Sequence, residues 1–215
     1  MKQVVFVILF LISTFAFAKE VPVAPSNCFS GKSYCSGWNV LTNSEGKKVI
    51  RVRIFAKLSI SDMGSLDDVE GFFFDFSKWK DYAAGSENIS ILDSELRYVR
   101  VNGQERKRHF VRYSAKAPWP IRNMNVVDLM EYKIASADYP ATLKSYTFRQ
   151  VPGFSDREGV KYNIGELHIV KTSDLKSYLV TFVTDVVPSI DLLPKVAAPY
   201  IQRPMLDVFK GMFNL

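Results

Sequence analysis

The sequence predicts an α+β fold: one large, curved antiparallel sheet, a short helix pair after the first strands, and a long C-terminal helix. Three observations lead there. Between residues 89 and 187, strand-like segments follow one another with only short turn signals between them, the pattern of an antiparallel meander. Between residues 65 and 82 the apolar period changes from two to three and four. The chain then closes on residues 192–213, whose apolar residues repeat at helical spacing. A sheet of that size curls, and an amphipathic helix can lie in its concave face, a helix-grip arrangement.

Residues 1–18 carry a different signal. Lys2 gives a short positive start, Val4 to Ile12 are unbroken apolar residues, and Ala16-Phe17-Ala18 is a small-x-small cleavage pattern before Lys19-Glu20. This reads as a secretory signal peptide cut after Ala18. The apolar run is short for a membrane span, which needs about 20 residues. The mature protein is therefore expected to be periplasmic or secreted. Residues 19–35 form an arm: Pro22 and Pro25 keep it extended, and it ends in CFSGKSYC. Export to an oxidising compartment, with Gly31 allowing a turn, predicts a local disulfide between Cys28 and Cys35.

The remaining chain, residues 36–215, reads as one domain. Trp38 to Leu41 make a short first strand. In Lys48 to Ser59, Ile50, Val52, Ile54, Ala56 and Leu58 give one wholly apolar face, as in a half-buried strand. Ser65 caps a helix over residues 65–76, with Asp67 and Asp68 in its first turn and Leu66, Val69, Phe72, Phe73 and Phe76 on one face. Trp79 and Tyr82 continue that face into a second turn. Strands follow over residues 89–101, 106–115, 124–134, 143–151, 160–171 and 178–187. Asn102-Gly103, Asp138-Tyr139-Pro140, Pro152-Gly153 and Ser173-Asp174 separate them. Before the third of these, Pro118 and Pro120 make Ala117 to Pro120 a stiff elbow. In the last segment Leu193, Val196, Ala197, Tyr200, Ile201, Met205, Val208, Phe209 and Met212 form a stripe, which Pro199 and Pro204 are expected to bend or restart.

Composition narrows the function. A chain 47% hydrophobic and 23% charged is globular. The net charge of +6 is scattered apart from Arg106-Lys107-Arg108. That cluster reads first as a solvated hairpin and second as an anion or headgroup contact. The aromatic residues sit at core periodicity, and with export this argues against a nucleic-acid partner. His109 and His168 lie on separate strands without metal-ligand spacing, so no metal is expected. No nucleophile elbow, phosphate loop or dinucleotide fingerprint occurs. Asp128, Glu131 and Glu166 are the candidate acids or bases, with a solvent-facing or capping role as the plainer reading. Asp128 stands out, because it falls in register with Met124, Val126, Met130 and Tyr132. If that face lines a cavity, the carboxylate needs a partner there, and Arg112 is the candidate.

GWNVLTNSEGKKVIRVR (residues 37–53), VEGFFFDFSKWKDY (69–82), APWPIRNMNVVD (117–128) and DLLPKVAAPYIQRPMLDVFKGM (191–212) resemble START lipid-transfer domains, in the same order and spacing, over residues 36–213. The resemblance implies a curved sheet around a deep apolar cavity, a bound lipid or sterol-like molecule, no cofactor and no catalysis. A cyclase- or hydratase-like enzyme using a cavity carboxylate is the alternative. Arg112, Met124, Val126, Asp128, Met130, Tyr132, Tyr200 and Met205 are then the expected ligand contacts. Trp119 is expected at the rim, half-exposed, where its ring suits transient contact with a membrane surface. A monomer is expected. One departure concerns the Arg-Asp pair that members carry after the proline elbow. Met124 and Asn125 stand there instead, so a thioether replaces a buried charge and the cavity should be more apolar at that point.

Overall fold

The computed structural model describes residues 20–67, 69, 71, 75–117, 123–139, 142–151, 160–188 and 193–215. Eight strands form a single sheet: β1 (Tyr34–Thr42), β2 (Lys48–Ser59), β3 (Ile89–Val101), β4 (Gln104–Ala115), β5 (Met124–Ile134), β6 (Lys144–Gln150), β7 (Val160–Lys171) and β8 (Ser177–Pro188). Their spatial order is β1-β2-β8-β7-β6-β5-β4-β3, and every neighbouring pair is antiparallel. The fold is the α+β helix-grip arrangement. Strands β3 to β8 make the meander, and the β1–β2 hairpin adds to its far edge through β8.

The β3–β4 hairpin turns at Asn102 (φ 50°) and Gly103 (φ 78°), left-handed conformations that asparagine and glycine tolerate at tight hairpin turns. Between β2 and β3 the chain crosses the open side. A helical turn at Ile60–Met63 starts the crossing, helical residues Leu66, Asp67, Val69 and Gly71 follow, and it ends in a 3₁₀ turn at Phe76–Lys78 and a helical turn at Trp79–Tyr82. Val69 and Phe76 are buried, as an amphipathic segment requires. Of the expected helix over residues 65–76, the described Leu66, Asp67, Val69 and Gly71 are helical, the Val69 N–H donates to Ser65 O and the Asp75 N–H to Gly71 O, and Phe76 falls in the 3₁₀ turn. Cys28 and Cys35 are bridged, and the arm is tied down where β1 begins.

The C-terminal helix, Pro194–Phe213, is continuous, so Pro199 and Pro204 do not restart it. Pro199 and Pro204 each remove one backbone donor, yet the buried face of Ala197, Ala198, Ile201, Val208, Phe209 and Met212 holds the helix in place. Tertiary packing overrides local propensity. Polar contacts fix its seat: Gln202 Nε2 donates to Ser36 Oγ (2.8 Å), and Asn88 Nδ2 (3.0 Å) and Ser86 Oγ (2.5 Å) donate to Asp207. At Gly211 an added Cβ would lie 1.7 Å from the carbonyl oxygen of Tyr82, so helix and turn meet backbone to backbone. Asn214 ends the helix in the left-handed conformation (φ 51°).

Candidate ligand cavity

Between the concave face and the helix lies a cavity of about 170 Å³. Strand alternation decides what lines it. On β5 the even-numbered residues Met124, Val126, Asp128, Met130 and Tyr132 face it, and on β4 the odd-numbered His109, Val111, Tyr113 and Ala115 do. The register pairs these sets directly: Ala115 with Met124, Tyr113 with Val126, Val111 with Asp128 and His109 with Met130. Ile89 and Ile91 extend the wall on β3, and Phe148, Asn163, Leu167, Phe182 and Val186 do so from β6 to β8. Tyr200, Ile201, Pro204, Met205, Val208, Phe209 and Met212 of the helix cover it, and Trp79 reaches in from its short turn.

The structure thus brings together Met124, Val126, Asp128, Met130, Tyr132, Tyr200 and Met205 of the expected contacts. Arg112 is not among them. It pairs with Val127 on β5, points to the opposite face and is exposed. The alternation of His109, Val111, Tyr113 and Ala115 against Phe110, Arg112 and Ser114 carries that signal, since the second set holds the charge. Trp119 and most of its elbow lie outside the described residues.

The partner of Asp128 is Asn163 on β7, whose Nδ2 donates to Oδ2 at 3.4 Å. The Thr184 hydroxyl donates to Asn163 Oδ1 at 2.6 Å, which turns the amide toward the carboxyl. Nothing in the β7 or β8 sequence pattern singles this pair out; it depends on strand order. Asp128 is 6% exposed, and burial pushes its pKa up from 3.8 to about 6 against the pull of Asn163. Its Oδ1 has no hydrogen-bond partner among the described residues. Burial, with Asp128 adding to it, also raises the phenols of Tyr113 and Tyr132.

Next to Asp128 sits an aromatic group that the sequence reading did not place in the wall. His109 stacks on Phe76, meets Trp79 edge-on (ring centroids 4.4 Å apart), and pairs its Nδ1 with Tyr132 Oη at 3.2 Å. Burial holds its pKa well below 6.5, so the ring is neutral. Its Nε2 and the indole Nε1 of Trp79 are buried without partners among the described residues.

The other candidate acids lie on the convex face. Glu131 is gripped by Arg106 (2.8 Å), Arg149 (3.2 Å) and Arg108 (3.3 Å), so the basic cluster serves an internal carboxylate. Burial pushes Glu131 up, but these guanidiniums outweigh it and the net shift is downward. Glu166 accepts from His168 Nε2 at 3.0 Å, while Ser145 meets the other ring nitrogen; Ser145 and His168 are fully buried. No group of three or more His, Cys, Asp or Glu residues among those described can hold a metal. No helix among the described residues is long and apolar enough to cross a membrane.

Two solved structures share this architecture. The Thermus thermophilus protein TTHA0849 superposes with a TM-score of 0.52 at 15% identity, over 76% of this chain and 94% of its own. A START superfamily protein from Mycobacterium smegmatis gives 0.50 at 13% identity, over 76% and 94%. No family model matches the sequence, and no curated protein matches it. At these identities the likeness concerns the fold alone: the chain shares the helix-grip fold of a START superfamily protein.

Proposed function

We propose that the protein is an exported carrier that holds a lipid or other apolar molecule in the cavity between sheet and helix. The observation that carries this reading is the wall itself. Twenty-five of the described residues, from six strands, the helix and the Trp79 turn, converge on one internal space, and among these Asp128 is the single carboxylate, with no lysine or arginine. The helix-grip fold shared with the START superfamily protein, together with the sequence's resemblance to START lipid-transfer domains, supports the same class of guest. The leader at residues 1–18 and the Cys28–Cys35 bridge support export. A cyclase- or hydratase-like enzyme is the second reading, and Asp128 favours it: a carboxyl with a pKa near 6 suits a general acid or base. Against it, no second carboxylate lines the cavity among the described residues, so Asp128 has no acid–base partner of its own kind there.

Native mass spectrometry of protein as purified, followed by solvent extraction, tests the proposal. A stoichiometric apolar guest is the expected result. Met130→Trp, which fills the wall next to His109, should lower guest occupancy with little loss of stability. Overpacking a solid core instead costs about 1–3 kcal/mol. A variant destabilised by that much with normal occupancy overturns the assignment of Met130 to the cavity wall. An empty wild type that turns over an added substrate overturns the carrier reading.

A further inference from the structure

Three polar atoms of the cavity that lack a partner among the described residues belong to neighbouring residues. Along the β4–β5 wall, Met124, Ala115 and Val126 lie at one end with the Tyr113 phenol beside Val126, Asp128 sits midway, and His109 and Tyr132 lie toward the other end. Asp128 and His109 are diagonal neighbours across that strand pair, within reach of one bound group and its immediate surroundings. Trp79 meets His109 edge-on, with ring centroids 4.4 Å apart. In this band Asp128 Oδ1, His109 Nε2 and Trp79 Nε1 are buried with no partner among the described residues. Buried polar atoms are nearly always paired, so such a cluster facing an internal space points to hydrogen bonds supplied by a guest.

The chemistry of the three atoms limits what the guest can be. The indole N–H only donates, and the carboxylate only accepts. His109 Nε2 takes either role, because its other nitrogen faces a hydroxyl that can donate or accept. A fatty carboxylate or phosphate would bring negative charge beside Asp128 in a wall with no lysine or arginine among the described residues. An ammonium group cannot accept from Trp79. An ether or ester cannot donate to Asp128. A hydroxyl does both, without charge. Resting on the carrier reading, we propose that the guest is a neutral alcohol, held with its hydroxyl end at the Trp79–His109–Asp128 band and its hydrocarbon toward Met124.

The test uses full-length mature protein stripped of guest and loaded with the apolar dye N-phenyl-1-naphthylamine. The dye is displaced by 1-decanol, decyl methyl ether, decanoate or decylamine, four chains of one length that differ only at the polar end. Decanol is expected to displace the dye at a concentration at least tenfold below the other three. Asp128→Leu and Trp79→Phe should each bring the alcohol-to-ether ratio, read within the same variant, toward one. Equal displacement by alcohol and ether overturns the alcohol assignment while leaving the carrier reading in place. Tightest binding of decylamine or decanoate overturns it too, in favour of a cation or anion site. A stripped protein that binds no dye overturns both readings.

Discussion

Asp128→Asn isolates the energetic consequence of placing one carboxyl in an apolar wall. The substitution keeps the shape and keeps an oxygen for Asn163 to reach, but it removes the charge. Burial raises the carboxyl pKa from 3.8 to about 6. A rise of that size is worth about 3 kcal/mol between the two protonation states. The sign follows from proton uptake. Between those two values the folded protein keeps a proton that the unfolded chain has released, so unfolding becomes easier as pH rises. The favourable contribution is complete below pH 3.8 and is lost as pH climbs through 6.

His109 acts in the opposite direction. Its pKa lies below 6.5 in the folded state, so falling pH favours the unfolded chain, which takes up the proton. It is present in both proteins, and the difference between them removes it. Tyr113 from β4 and Tyr132 from β5 also face Asp128, but burial keeps both phenols protonated throughout. Urea unfolding of stripped wild type and variant, followed by tryptophan fluorescence from pH 3.5 to 7.5, gives the quantity needed. The variant should gain on the wild type by about 3 kcal/mol across this range, mostly between pH 4 and 6. A pH-independent difference would refute the buried-carboxyl argument. A difference that shrinks as pH rises would mean that Asp128 is held as a carboxylate by a cation.

Two further outcomes test the frame around the cavity. Gly211→Ala should destabilise by about 1–3 kcal/mol or more in chemical denaturation, because its Cβ would lie 1.7 Å from Tyr82 O and 2.6 Å from the same carbonyl carbon. Helix propensity alone predicts a gain of about 1 kcal/mol, so the sign decides. Replacing both Cys28 and Cys35 by alanine should lower stability by about 2 kcal/mol, the loop-entropy value for a separation of 7 residues. Two free thiols in the mass of the unreduced mature protein would contradict the bridge itself.

What could be read from the sequence was whatever alternation and turn chemistry control. Lys48–Ser59, Ile89–Val101, Met124–Ile134 and Val160–Lys171 are strands over the expected residues, because each alternates cleanly or sits between Gly, Pro or Asn turns. The face of β5 was legible for the same reason, and with it Met124, Val126, Met130 and Tyr132. Properties that depend on strand order were not. Asn163 belongs to the site because β7 curls opposite β5. No spacing in the chain relates the two. Arg112 was assigned by charge complementarity with Asp128, whereas register sends it to the other face. The prolines of the last helix were judged by local propensity, although a buried face decides the outcome.

The same register explains why a space remains at all. The C-terminal helix packs chiefly against β1 and β2 at one edge of the sheet and against the Trp79–Tyr82 turn, which in turn packs on β3 at the other edge. It is therefore propped at both sides of a curved floor made by β4 to β7. Ala197 and Ala198, fully buried, let it sit close to the sheet, and Gly211 lets it touch the Tyr82 backbone. Small residues thus draw the helix down at its supports. Between them the floor carries medium-sized side chains such as Val111, Val126 and Met130, which do not span the arch. Filling that gap with larger residues would give a more stable protein with nothing to carry. The buried carboxyl of Asp128 points the same way: Asn163 offsets part of its cost to stability above pH 6, and a group donating to Oδ1 would offset more.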